Sequence, residues 1–168
     1  EICRRHRILI MEDNPYGLLG FEGQTYTALK TLAPDDVVYL SSFSKIFAPG
    51  YRVGWAVAPP AVREKMKLAS EAAILCPSSV GQYSVSTYLD NFDWRLQIEE
   101  FRGMYRGRRD AMVSALGEFM PTCTWNVPAG GFYVWVGLPD GLDAKDMLPR
   151  AVTNLVAYVS GTAFYAGG

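Results

Sequence analysis

Three short apolar segments near the start of the chain have the pattern of β-strands. Residues 8–11 (ILIM) and 37–40 (VVYL) are continuous apolar runs bounded by charged or turn-forming residues. Such runs without polar alternation are typical of strands that are covered on both faces, as in a parallel sheet. Residues 52–58 (RVGWAVA) form a third candidate strand, which Pro59 and Pro60 close because proline cannot continue a hydrogen-bonded ladder.

The rest of the chain alternates helical and strand-like patterns. A long helix is predicted at residues 93–120, where apolar side chains recur near helical spacing. Shorter helices are predicted at residues 61–73, 78–89 and 143–154, and further strands at residues 131–138 and 156–160. Because strands alternate with helices, the pattern predicts an α/β fold, with a domain boundary inside the long helix near residues 95–110.

Composition and charge argue against several classes of protein. The 168 residues are 49% hydrophobic and carry a formal net charge of −1, so the chain has no general attraction to nucleic acids or anionic membranes. No apolar run approaches the ~18 residues that a membrane-spanning helix needs. The spacing of four arginines in the long helix predicts a solvated helix face rather than a nucleic-acid site; they are Arg102, Arg106, Arg108 and Arg109.

The cysteines and the single histidine indicate neither a disulfide framework nor a metal site. Cys3, Cys76 and Cys123 are far apart, odd in number and without C-x-x-C spacing, and His6 is the one histidine. We therefore expect no bound metal and expect the cysteines to be small buried hydrophobic residues. The same cysteine usage favours a reducing, cytoplasmic setting.

Both ends of the sequence have the character of a cut chain. It begins at Glu1 inside a basic helical pattern (EICRRHR) and stops at FYAGG, directly after a strand-like segment. We therefore expect this sequence to be a fragment of a longer protein.

The stretch EDNPYG closes the first predicted strand and places Asp13 and Tyr16 three residues apart. Ligands in open α/β sheets bind at the carboxyl ends of the strands, which makes both residues candidates for a site. The stretch also suits a simple turn, because Asp, Asn, Pro and Gly each favour turns for local reasons. From these six residues alone, both interpretations stay open.

The stretch SSFSKIFAPGYRVGW, residues 41–55, follows the second predicted strand and carries a lysine in a loop that we expect to be buried. A serine three residues before a lysine fits the Ser-x-x-Lys arrangement of penicillin-binding enzymes. It also fits a lysine that forms a Schiff base with a carbonyl compound. The first chemistry needs Ser-Asp-Asn and Lys-Thr-Gly elements, which do not occur here, and it leaves Arg52 without a role. The Schiff-base interpretation is therefore favoured.

Four segments, in order, resemble one family of enzymes. EDNPYG, SSFSKIFAPGYRVGW, PAGGFYVWV and SGTAFYAGG are similar to the motifs of fold-type I pyridoxal-phosphate aminotransferases. The spacing from Lys45 to Arg52 resembles the branch that contains aminoadipate and kynurenine aminotransferases and MocR-type regulators. This resemblance covers nearly the whole chain. It implies part of a mostly parallel-sheet α/β large domain at residues 1–100 and an incomplete α+β small domain at residues 101–168, joined by the helix at 93–120.

The resemblance also implies a cofactor, pyridoxal 5'-phosphate, and the residues that bind it. Lys45 would hold it as a Schiff base and carry a proton during the reaction. Asp13 would pair with the pyridinium nitrogen, which keeps the ring an electron acceptor, and Tyr16 would hydrogen-bond the phenolic oxygen of the ring. A phosphate needs several donors; those implied here are Ser42, Ser44 and Arg52.

The activity that the resemblance implies is reversible transfer of an amino group from an amino acid to a 2-oxo acid, with ping-pong kinetics. One alternative is an aminotransferase-like domain that senses the cofactor in a MocR-type transcriptional regulator, and another is a lyase or decarboxylase on the same scaffold. Nucleic acid would be a partner only if a DNA-binding domain preceded Glu1. The resemblance further implies a homodimer, whose interface completes the site, and a substrate pocket bordered by residues 128–132 (PAGGF).

Overall fold

A computed structural model describes residues 1–166, which form two compact units. The first unit consists of Glu1–Arg106 together with Ala129–Gly131, and the second of Gly107–Pro128 together with the described residues from Phe132 onward. The last two residues of the SGTAFYAGG segment lie outside the described residues. Over residues 1–166, no helix combines the length and the hydropathy that crossing a membrane requires.

The sheet of the first unit has three strands, and a strand is confirmed at each of the three predicted places. β1 spans Ile10–Asp13, β2 spans Val37–Ser42 and β3 spans Gly54–Val57. β2 is central, pairing in parallel with β1 and antiparallel with β3. Val37 and Val38 are almost completely buried, in agreement with the continuous apolar run that opens β2.

β3 lies at the edge of this sheet and is exposed along its whole length. Gly50, Gly54 and Trp55, on either side of Arg52 in the sequence, are exposed, and Trp55 is 42% exposed. The Trp55 ring contacts Tyr39 of β2, with ring centroids 5.2 Å apart. Within residues 1–166 no strand pairs with the other edge of β3, and a strand paired on one edge only keeps its outer edge accessible.

The predicted helices are confirmed close to the expected positions. The helices that begin in the first unit are α1 (Ile2–Arg5), α2 (Leu29–Leu32), α3 (Pro60–Ile74), α4 (Ser79–Asn91) and α5 (Trp94–Phe119). The hydroxyl of Ser78 caps α4 by accepting the N–H of Gly81, and the carboxylate of Asp93 accepts the N–H of Arg95 at the start of α5. Buried apolar residues of this unit outside the sheet are Leu19, Phe21, Val85 and Ile98.

The described part of the second unit contains the end of α5, a small antiparallel ladder, one further α-helix and a 3₁₀ helix at Gly161–Phe164. The ladder consists of β4 (Thr124–Trp125) and β5 (Val136–Gly137), and the helix is α6 (Ala144–Thr153). Asp143 caps α6, because its carboxylate accepts the N–H groups of Lys145 and Asp146. The predicted helix at 143–154 is therefore confirmed.

Two strand predictions in the later chain need correction. Of residues 131–138 only Val136–Gly137 is a strand, since Gly131 has a φ of 81° and donates its N–H to Leu19 instead of a ladder partner. Residues 156–160 are not a strand. The N–H of Val156 donates to the carbonyl O of Ala151, and the Tyr158 hydroxyl donates to the carbonyl O of Ala144, so the start and the middle of this segment bond to α6.

The cysteines are free thiols, and the expectation that they are buried is wrong. Cys76 is exposed in the loop between α3 and α4, whereas Cys3 and Cys123 are half-buried. Cys3 belongs to α1, a helix without buried residues. A short surface helix and a loop do not provide the packed surroundings that free cysteine ordinarily occupies.

Candidate functional site

The carboxyl ends of β1 and β2 lie side by side and carry two of the predicted site residues. Asp13 ends β1 and Ser42 ends β2, and the parallel register sets Asp13 opposite Leu40. Just beyond the ladder, Asn14 N–H donates to the carbonyl O of Leu40 at 2.9 Å, and Ser41 Oγ donates to the carbonyl O of Asn14 at 3.0 Å. Asp13 and Ser42 therefore reach the edge where α/β sheets bind ligands.

Ser42 and Ser44 form a pair of hydroxyl groups at the start of the loop after β2. Their Oγ atoms are 2.8 Å apart, and the N–H of Ser44 donates to Ser42 Oγ at 3.0 Å. Ser42 Oγ also lies 3.3 Å from the carbonyl O of Val53, the residue before β3. This local turn brings together two hydroxyl groups that are able to act as donors to an anion.

Arg52 has a left-handed backbone conformation, with a φ of 55° and a ψ of 38°, directly after a 3₁₀ turn at Pro49–Tyr51. Its side chain is exposed, and Nη1 donates to the carbonyl O of Pro49 at 3.1 Å. Within residues 1–166 the guanidinium makes no hydrogen bond to Ser42 or Ser44. The next residue, Val53, is the one that contacts Ser42, through its carbonyl O.

Lys45 contacts the loop that follows β1. Its Nζ lies 5.9 Å from the centroid of the Tyr16 ring, within the range of a cation–π contact. The lysine is half-buried, so the expectation of a buried loop is too strong. The reason is that the chain continues from Lys45 into the exposed turn at Pro49–Tyr51. On the Tyr16 ring, a second neighbour is Gly131, whose ideal Cβ position is 3.9 Å from Tyr16 Cγ.

The structure thus joins Lys45 to Tyr16 and Ser42 to Ser44 by direct contact. Asp13 is not joined to the others: its carboxylate is exposed and, across residues 1–166, forms no hydrogen bond or ion pair. The groups at this edge of the sheet comprise an amine, a phenol, a carboxylate, two hydroxyls and a guanidinium. This donor and acceptor set fits a phosphorylated pyridine that carries a carbonyl group.

The spacing of arginines in α5 predicts a solvated face, which is wrong for Arg102 and Arg109. Arg102 is 9% exposed, and its Nε donates to the carbonyl O of Leu18 at 2.8 Å. In the second unit Arg109 is half-buried, and its Nη1 donates to the carbonyl O of Pro128 at 2.9 Å. Each guanidinium donates to one loop carbonyl and to one carboxylate of α5, Glu99 or Asp110, which permits its burial. The sequence alone gives no sign of the loop carbonyls, because helical spacing says nothing about loops elsewhere in the chain.

Comparison with known proteins gives consistent matches along the chain. The profile described as "Aminotransferase class I and II" matches residues 1–166. The Aromatic-amino-acid aminotransferase 1 of Thermococcus litoralis is 40% identical over 168 residues, which represent 99% of this chain and 40% of that protein.

Two solved structures are similar in both fold and sequence. The first is a kynurenine aminotransferase of Pyrococcus horikoshii in complex with PMP. It is 43% identical with a TM-score of 0.90, and the match covers 98% of this chain and 41% of the Pyrococcus chain. The second is LysN, an alpha-aminoadipate aminotransferase of Thermus thermophilus complexed with N-(5'-phosphopyridoxyl)-L-leucine. It is 34% identical with a TM-score of 0.93, and the match covers 99% of this chain and 44% of the LysN chain.

The chain spans about two fifths of the length of these relatives. Its mixed α/β architecture agrees with theirs, and the family match includes every residue of the candidate site. The chain belongs to the aminotransferase class I and II family, of the fold-type I class that uses pyridoxal phosphate.

Proposed function

We propose that the full-length protein is a pyridoxal-phosphate-dependent aminotransferase that moves an amino group from an amino acid to a 2-oxo acid. The observation that carries this proposal is the position of Lys45, whose Nζ faces the Tyr16 ring in the loop directly after β1. Pyridoxal phosphate, when bound, supplies a carbonyl group that takes up the amino group and a ring that accepts electrons. The aminotransferase names of the matching relatives support the same activity.

The residues around the ring would each have one task. Lys45 would hold the cofactor covalently through Nζ, and the same nitrogen would move a proton at the substrate Cα. The Asp13 carboxylate, exposed at the end of β1, would pair with the protonated ring nitrogen. The Tyr16 hydroxyl would donate to the ring oxygen of the cofactor; Lys45 and Gly131 both lie near the aromatic ring of Tyr16.

The phosphate would be bound by Ser42, Ser44 and Arg52. The two hydroxyl groups are already brought together by the turn after β2. Arg52 uses one of its five N–H donors on the carbonyl O of Pro49. Its planar guanidinium suits a phosphate, because it can donate two parallel hydrogen bonds.

We also propose that residues 1–100 are the C-terminal part of the large domain and residues 101–168 an incomplete small domain. The division into two compact units supports this, because it falls inside α5, between Arg106 and Gly107. A homodimer in the cytoplasm completes the proposal. Sedimentation velocity of the full-length protein measures the oligomeric state, and a monomer would contradict that part.

The activity is tested with the full-length protein, pyridoxal phosphate and panels of amino acids and 2-oxo acids. We expect ping-pong kinetics, and we expect Lys45→Ala to lower kcat by about 10²-fold or more, because the nucleophile and proton carrier are removed together. Lys65→Ala, at an exposed position of α3, is the matched control and should retain the wild-type rate.

Three other outcomes would contradict the proposal. Full transamination by Lys45→Ala would exclude a catalytic role for that lysine. Release of carbon dioxide or ammonia without amino transfer would identify a decarboxylase or lyase. Cofactor attachment at Lys45 without turnover, together with a DNA-binding domain encoded before Glu1, would identify a transcriptional regulator.

A further inference from the structure

Residues 19–21, in the middle of the loop that follows β1, are buried, although they lie outside the helices and strands. Leu19 is completely buried and Phe21 is 4% exposed. Loops ordinarily run over the surface, because a buried loop needs a protein partner for each backbone N–H and C=O group. Two segments that are distant in the sequence supply these partners.

The first segment is Ala129–Gly131, which belongs to the first unit although the residues before it, Gly107–Pro128, belong to the second. Gly131 N–H donates to the carbonyl O of Leu19 at 3.2 Å, and Phe21 N–H donates to the carbonyl O of Ala129 at 2.8 Å. Between these bonds, a Cβ on Gly130 would lie 2.5 Å from the carbonyl O of Leu19. Backbone hydrogen bonds with Ala129–Gly131 therefore hold this part of the loop, and the glycine at position 130 allows the two backbones to approach closely.

The second segment is α5, through Arg102. This arginine is 9% exposed; its Nε donates to the carbonyl O of Leu18 at 2.8 Å, and its Nη1 pairs with Glu99 one turn earlier. One turn later, Arg106 Nη1 lies 3.5 Å from the carbonyl O of Phe21. Burying a guanidinium is costly unless its donors are satisfied. Arg102 therefore depends on the Leu18 carbonyl, and that carbonyl depends on Arg102.

The anchored carbonyl is close to the residue that contacts Lys45. The next residue in the chain, Leu19, donates its N–H to the carbonyl O of Tyr16 at 2.8 Å, so a fixed Leu18 also fixes the backbone of Tyr16. The Tyr16 ring in turn lies 5.9 Å from Lys45 Nζ. A continuous series of contacts thus runs from Arg102 to Lys45.

We propose that Arg102 is a positioning residue: by holding the carbonyl of Leu18, it fixes the Tyr16 ring relative to Lys45 Nζ. Its effect on the reaction runs through the loop, not through contact with the reacting atoms. The inference rests on the proposed function, because it concerns the surroundings of the group that Lys45 holds.

The first measurement is made without the cofactor. Amide hydrogen exchange is compared in the full-length wild type, Arg102→Met and Arg95→Met. Arg95→Met is the control: it removes a guanidinium of α5 that lies 4.3 Å from the ring centroid of its neighbour Trp94. Losing a hydrogen bond to a charged donor should speed exchange at Leu19 and Phe21 about tenfold or more in Arg102→Met. Exchange at the wild-type rate in that variant would overturn the inference.

The second measurement uses the protein loaded with pyridoxal phosphate. Pyridoxal phosphate bound to Lys45 absorbs visible light, and its absorption changes with pH; the measured quantity is the pH at the midpoint of that change. This midpoint should shift in Arg102→Met in the same direction as in Tyr16→Phe. It should stay unchanged in Arg95→Met. Arg102→Lys keeps a positively charged donor group, so its pH midpoint should lie between those of Arg102→Met and the wild type. If Arg102→Met does not fold, Arg102→Lys takes its place in both measurements. Faster exchange with an unchanged midpoint would mean a purely structural anchor and would overturn the inference.

Failure of the proposed function is recognised separately. A wild-type protein that forms no chromophore on Lys45 refutes the proposed function before any variant is compared, whereas the exchange rates of the cofactor-free protein still show whether Arg102 holds the loop.

Discussion

Replacing Gly130 by alanine tests how the Ala129–Gly131 segment is built into the first unit. An added Cβ would lie 2.5 Å from the carbonyl O of Leu19 and 3.1 Å from the Cα of Gly20. Both atoms belong to the backbone, so no side-chain rotation can relieve the overlap. One of the two backbone segments must therefore move.

The magnitude follows from the contacts that such a movement disturbs. Overpacking of this kind costs about 1–3 kcal/mol. Two hydrogen bonds flank the overlap, one from Gly131 N–H to Leu19 and one from Phe21 N–H to Ala129, and weakening one of them costs about 1 kcal/mol more. We therefore expect Gly130→Ala to lower the free energy of unfolding by about 2–4 kcal/mol.

Gly103 in α5 offers a matched control with the opposite sign. No atom lies within 4 Å of a Cβ built at this position, and alanine in a helix interior is favoured over glycine by about 1 kcal/mol. Both variants are unfolded with urea as the cofactor-free full-length protein, followed by tryptophan fluorescence and far-UV circular dichroism. A wild-type midpoint for Gly130→Ala, or a loss of stability in Gly103→Ala, would refute the reasoning.

Arg52→Gly is expected to leave the free energy of unfolding unchanged or up to about 1 kcal/mol higher, because relief of the left-handed conformation offsets the added chain entropy of glycine. The same variant should bind pyridoxal phosphate about tenfold or more weakly in equilibrium dialysis, and unchanged affinity would contradict a phosphate-binding role. Glu12→Gln should lower the urea midpoint and reduce the free energy of unfolding by about 1 kcal/mol. The reason is that the Glu12 carboxylate accepts two backbone N–H groups at the start of α2, each at 3.1 Å. An unchanged midpoint would count against a capping role for Glu12. The hydrogen bond from Lys67, supported by its charge, holds the pKa of the Glu64 carboxyl below its usual range, a contribution to stability that is lost as the pH falls through the folded-state pKa. Lys67→Ala should raise that pKa in an NMR titration, and an unshifted titration would show that the ion pair does not form in solution.

Many of the helices and strands follow from local sequence. The continuous run VVYL predicts a buried strand, and β2 is both central and buried at Val37 and Val38. The serine at position 78 and the aspartate at position 143 occupy the capping positions of α4 and α6. In each case the cause lies within a few residues of the element, which is why the pattern is sufficient.

Two of the predictions that failed depend on partners far away in the sequence. Residues 131–138 alternate as a strand should, yet Gly131 bonds to Leu19 in the loop after β1. Arg102 has the spacing of an exposed residue, yet the carbonyl of Leu18 gives it a buried acceptor. Periodicity reports which side chains share a face, and it does not report which distant backbone groups remain to be satisfied.

For the site, the sequence identifies the chemical groups better than their arrangement. The motifs single out Lys45 and Tyr16, and the two side chains do meet. The motifs do not indicate that Arg52 is exposed and bonded to Pro49, because its direction is set by a single left-handed residue at the end of a 3₁₀ turn. They also pass over Ser41, whose hydroxyl joins the ends of β1 and β2.

Covalent attachment of pyridoxal phosphate to Lys45 is the central claim, and borohydride reduction followed by peptide mass spectrometry tests it most directly. The full-length protein is mixed with pyridoxal phosphate, reduced, digested and mapped. We expect a pyridoxyl group on Lys45 that is absent from Lys45→Ala, while Lys30 and Lys65 stay unlabelled in both proteins. A well-folded full-length protein that carries no label on Lys45, or carries it equally on its other lysines, would contradict the claim.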